Sequence, residues 1–129
     1  MPVLLKCSNV AFLDTNQAPG HESRNKPHLC ICPIDGRFYY MNTKIGDRYP
    51  DLCIQVTRED WPQMPNLISY INTDYLSLHR KWEYENKNHC GSCTEAFMKR
   101  LYTFIEDSGT ISPKDKTEVL GYLKSYKSQ

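Results

Sequence analysis

Lys26-Pro-His-Leu-Cys-Ile-Cys-Pro-Ile-Asp-Gly-Arg-Phe-Tyr-Tyr-Met-Asn-Thr43 decides the fold. Leu29 and Ile31 alternate with Cys30 and Cys32, and a β-rich run, Phe38-Tyr-Tyr-Met41, follows Asp35-Gly36. Asp-Gly between two such runs predicts a β-hairpin, because glycine accepts the positive φ that the turn between twisted strands requires. An antiparallel pair brings its open ends together, so Lys26 and His28 at the start of the first strand should stand beside Asn42 and Thr43 at the end of the second. These four form a candidate polar cluster.

Working outward, Val3-Leu-Leu and Val10-Ala-Phe-Leu13 read as opening strands. The polar stretch from Asp14 to Asn25 follows, with the turn signal Pro19-Gly20, and it delivers His21, Glu22 and Arg24 to the hairpin. Downstream, Leu52 to Val56 and Asn66 to Asn72 fit further strands, while Trp61-Pro-Gln-Met-Pro65 cannot, since proline removes a ladder donor. Residues 78–90 carry no clear pattern. Ser92-Cys-Thr-Glu95 has the form of a capping box, and Phe97, Leu101, Phe104 and Ile105 recur at helical spacing before the stop signal Ser108-Gly109. Ser112-Pro113 opens a second helix, striped by Val119, Leu120, Leu123 and Tyr126. Strands first and helices last predict one α+β domain over residues 1–129. Its parts are a small antiparallel barrel or curled sheet within residues 1–77 and a C-terminal helical pair within 92–126.

A chain of 129 residues holds one core comfortably and two poorly. No apolar run approaches the roughly 18 to 20 residues that cross a bilayer, so membrane insertion is not expected. The N-terminal residues lack the pattern of a signal peptide, which predicts a cytoplasmic protein whose six cysteines are reduced. The net charge is only +1, too small for a broad nucleic-acid footprint, yet a local phosphate site is compatible with it.

The order of these features resembles the PemK-like, MazF-related toxin superfamily of small SH3-like barrels. The matching pieces are Gly20 to Pro27 with its basic residue before proline, His28 to Cys32, and a strand closing on Thr43. Asp51 and Ser69-Tyr70 match one branch of the superfamily, which also often ends in helices. The resemblance covers roughly residues 10–76. It implies a metal-independent endoribonuclease acting on single-stranded RNA, without cofactor, with an antitoxin protein and a second copy of the chain as further partners. Carried over residue by residue, it makes Arg24 or Lys26 with Thr43 the phosphate clamp. His28, Glu22 or Asp14 is then the base that takes the 2′-hydroxyl proton. The chain departs from the pattern in having Lys26 before the proline, and lysine lacks the bidentate fork of arginine. Asn42, Ser69, Tyr70 and Trp61 are candidate substrate contacts, with Trp61, beside Pro62 and Pro65, expected to be exposed and able to stack a base. A non-catalytic SH3-like barrel that binds protein or nucleic acid, such as a phage or mobile-element accessory factor, is the competing expectation. Cys30-Ile-Cys32 and Cys90-Gly-Ser-Cys93 lack the spacing of a paired zinc finger, so no metal is expected.

Overall fold

The computed structural model describes residues 5–15, 25–44, 50–87 and 89–127. Six strands appear in the order β1 (Val10–Asp14), β2 (Asn25–Cys32), β3 (Arg37–Asn42), β4 (Cys53–Thr57), β5 (Ile68–Asn72) and β6 (Ser77–Leu78). Three helices follow, α1 (Lys81–Tyr84), α2 (Glu95–Asp107) and α3 (Pro113–Tyr122). The strands run antiparallel in the spatial order β1-β2-β3-β5-β4, with β6 added to β3. The architecture is therefore α+β, an antiparallel sheet followed by C-terminal helices. None of the described helices is long and apolar enough to cross a membrane.

β2 and β3 form the expected hairpin, pairing His28 with Tyr40 and Leu29 with Tyr39. Gly36 takes φ +70° at its turn, and its backbone lies so close to β6 that an added Cβ would stand 2.1 Å from the His79 carbonyl oxygen. Alternation places Leu29, Ile31, Tyr39 and Met41 in the main core, where Phe97, Met98, Leu101 and Ile105 of α2 and Val119 of α3 cover them. Cys30 and Phe38, on the opposite face, join Leu5, Ala11, Leu13 and Tyr84 in a smaller cluster. Both faces of the hairpin are thus covered, which explains why its strands are apolar almost throughout.

Several local expectations change. The cap of α2 is Thr94, whose Oγ1 accepts from the Phe97 N–H at 3.2 Å. Ser92 instead accepts from Asn9 Nδ2 at 2.7 Å, because it is drawn into a bridge with Asn9 outside the helix. Ser112 caps α3 as expected, accepting from the Asp115 N–H at 3.3 Å with Pro113 at the first helical position. Residues 78–90, which show no clear pattern, contribute to β6 and form all of α1. Val3 and Leu4 of the expected opening strand lie outside the described residues.

Trp61 is the clearest correction. It is 0% exposed, with Nε1 donating to the Cys90 carbonyl at 2.7 Å, and consecutive turns, in which the Trp61 N–H donates to the Thr57 carbonyl and the Met64 N–H to the Trp61 carbonyl, hold it against the core. Beside it, Asp60 accepts from the Thr57 N–H at 2.9 Å and pairs with Arg100 at 3.1 Å, joining the end of β4 to α2.

Candidate functional site

The open end of the hairpin assembles part of the expected cluster. Lys26 Nζ donates to Asn42 Oδ1 and also lies 5.9 Å from the Tyr40 ring centroid. Asn42 faces Tyr70 across the β3–β5 ladder, and Tyr70 faces Gln55 across β4–β5. Cross-strand partners share a face, so Lys26, Asn42, Tyr70 and Gln55 make a row across four strands. The first three are half-buried and Gln55 is exposed. Neighbouring strands stand about 4.8 Å apart, so the row from Lys26 to Tyr70 spans about 10 Å. Thr43 follows Asn42 directly and is exposed.

His28 does not join this surface. It lies on the same face of β2 as Lys26, two residues further along the strand, but beneath the segment that carries His79, where it is 0% exposed. Nδ1 approaches the Lys26 carbonyl at 2.7 Å, and Nε2 has no hydrogen-bond partner among the described residues. Its ring meets that of His79 with centroids 4.9 Å apart and planes at 86°, and Phe38 and Tyr40 close the surround. Burial pushes the His28 pKa down to about 3, against the small opposing pull of its hydrogen bond to the Lys26 carbonyl. The His79 pKa is lowered by burial too, opposed by nearby Glu83. Both rings are neutral at pH 7, and in this position His28 cannot touch a 2′-hydroxyl arriving from solvent.

Ser69 is also interior, 2% exposed opposite Val56. Trp61 is sealed in the core, so its ring faces are closed to a base. Glu22 and Arg24 lie outside the described residues. Asp14 is exposed at the end of β1, with Oδ1 accepting from Asn25 Nδ2 at 3.3 Å.

Beside Asp14 opens a cavity of about 260 Å³ lined by Leu13, Asp14, Asn25, Trp82, Glu83 and Lys87. Leu13 pairs with Lys26 across β1–β2, so the cavity adjoins the start of the row. Trp82 is 69% exposed. The sequence signal for it was slight: one aromatic in a short polar stretch of ambiguous pattern.

The cysteines do not converge on one centre. Cys30 belongs to the smaller cluster and Cys93 to the main core, on opposite faces of the sheet. Burial raises the pKa of the Cys30 thiol and pushes that of Cys93 up to about 12. All six cysteines are free, and no group of three or more His, Cys, Asp or Glu suited to a metal occurs among the described residues. Comparison with family models, with curated proteins and with solved structures gave no match, so the reading of this site rests on its own geometry.

Proposed function

We propose that the protein binds single-stranded RNA along the row Lys26, Asn42, Tyr70 and Gln55. The observation that carries this reading is the alignment of a cation, an amide, an aromatic ring and a second amide across adjacent strands. Lysine attracts a phosphate, a tyrosine face stacks an unpaired base, and amides meet base edges. The near-neutral chain fits a short local contact better than a long electrostatic track. We read the sheet as an SH3-like barrel in this proposal. In support, β3 pairs β2 from Arg37 to Tyr40 and divides its remaining pairing between β6, at Arg37 and Phe38, and β5, at Met41 and Asn42, a division that favours a fold of the sheet at that strand.

Metal-independent cleavage of RNA, as in a toxin held by an antitoxin in the cytoplasm, is the second reading. Lys26 beside Asn42 and the exposed Thr43 favours it. It requires a base other than His28, and Asp14 is the described carboxylate nearest the strand end that was a candidate for this role.

The test incubates the purified protein with a labelled mixed-sequence RNA in EDTA, following anisotropy and fragment length together. Binding without fragments supports the first reading. Fragments that disappear with Thr43→Val and Lys26→Ala support the second. Absence of both binding and fragments overturns the two together.

A further inference from the structure

Trp82 stands on α1, the four-residue helix packed over the smaller cluster, and exposes most of its indole at the mouth of the cavity next to Asp14. A volume of about 260 Å³ is below that of pockets for drug-sized ligands and suits a single planar ring system. Its lining is chemically uneven: one aromatic face, one aliphatic side chain, two carboxylates, one carboxamide and one ammonium.

Glu83 is held in place, with Oε2 accepting from the Arg80 N–H at 2.6 Å. Its Oε1 stands 3.6 Å from His79 Nδ1, too far for a direct hydrogen bond, and remains a strong acceptor. Asp14 is steadied by the Asn25 amide and keeps lone pairs to spare.

We propose that this cavity receives a guanine base of the bound single strand, stacked on Trp82 with its Watson–Crick edge against a carboxylate of Glu83 or Asp14. The proposal rests on the single-strand RNA reading above and adds a sequence preference to it. Guanine presents two adjacent donors, N1–H and the N2 amino group, and a carboxylate accepts both. Adenine and cytosine place a ring lone pair where guanine places N1–H, and a carboxylate repels it. Uracil offers one ring donor between two carbonyls, which a carboxylate also disfavours. Lys87 supplies a cation for the guanine O6 or for the adjoining phosphate. The cavity lies one ladder step from Lys26, so the same strand reaches the row with no gap in the contact surface.

The experiment uses three seven-nucleotide RNAs that differ only at the centre: all uridine, uridine with one guanosine, and uridine with one adenosine. Intrinsic fluorescence reports the cavity, because Trp82 is the solvent-exposed tryptophan and Trp61 is sealed. The expected result is binding of the guanosine strand about ten- to a hundredfold tighter than the adenosine strand, the discrimination of one good bidentate contact. Trp82→Ala, which removes the fluorescent reporter and is followed instead by anisotropy of the same strands carrying an end label, and Glu83→Gln should each reduce that ratio while binding of the all-uridine strand persists. Asp14→Asn is the second variant, and the carboxylate that matters is the one whose change erases the ratio. Equal affinity for the two mixed strands overturns the guanine assignment and leaves RNA binding standing. Failure of all three strands to bind overturns both. Quenching by a neutral disaccharide in preference to GMP overturns the assignment in favour of a sugar.

Discussion

The His28 imidazole meets that of His79 edge to face inside the molecule, with ring centroids 4.9 Å apart, and both rings are almost fully buried. The unfolded chain protonates each histidine near pH 6.5, whereas burial holds the folded His28 pKa down to about 3 and lowers that of His79. A depressed histidine pKa means that the unfolded state binds more protons, so stability is full above about pH 6.5 and falls with pH below it. For His28 the loss approaches about 1.4 kcal/mol per pH unit and continues toward pH 3, and His79 adds to it in the same direction. Urea midpoints measured from pH 7.5 to 4.5 should fall steeply below 6.5. Carboxylates titrate in the lower part of that range, so His28→Leu isolates the effect: its midpoint should change less over the same span. An equal fall in both proteins would remove His28 as the cause.

Gly36→Val should be strongly destabilising. Positive φ costs a β-branched residue about 1 to 2 kcal/mol, and the new Cβ would also overlap the His79 carbonyl oxygen, a backbone atom that cannot swing aside. A total above about 2 kcal/mol in chemical denaturation is expected. A loss no larger than the conformational cost alone would show that β6 moves away freely.

Asp60→Ala removes the acceptor shared by the Thr57 N–H, the Thr57 hydroxyl and the Arg100 guanidinium. The expected cost is about 2 kcal/mol, mostly from the backbone donor left without its partner. Arg100→Ala should cost less, about 1 kcal/mol or below, because the Arg100 side chain is 53% exposed and its ion pair is screened. Thermal melts of the two variants side by side give the ranking, and a costlier Arg100→Ala would contradict it.

Lys26→Gln should weaken binding of single-stranded RNA and lower the slope of log affinity against log salt by about one phosphate contact. Tyr70→Ala should weaken binding by about 1 to 3 kcal/mol with the salt slope unchanged, as loss of one stacked base would. A salt slope that Lys26→Gln leaves untouched would place the phosphate contact elsewhere.

How far the sequence could be read depended on whether a signal was local. The hairpin rests on Asp35-Gly36 between two apolar runs, and the cap of α3 rests on the Ser112 hydroxyl next to its own helix, whereas at α2 the expected cap, Ser92, gives way to Thr94. Both kinds of signal lie within a few residues, and the strand-end meeting of Lys26 with Asn42 follows from the hairpin alone. What the sequence hid depended on distant packing. His28 reads as a polar group at a strand start, and its burial becomes visible only when β6 brings His79 against it. Trp61, expected at the surface, is buried for the same reason, while Trp82 lies in a stretch whose pattern carried no expectation. Prolines suggested a surface turn at Trp61, but a carbonyl 29 positions later receives its indole N–H. α1 carries too short a pattern to announce that its tryptophan would border a cavity.

The last rung of the β1–β2 ladder joins Asp14 to Asn25. That rung fixes both ends of the intervening connector, whatever its length, at one cross-strand spacing. Closing a connector between anchored ends costs chain entropy that grows only logarithmically, about 0.6 kcal/mol for each doubling. Evolution or an engineer can therefore lengthen the chain between Asp14 and Asn25 cheaply, without disturbing the paired strands that hold Lys26.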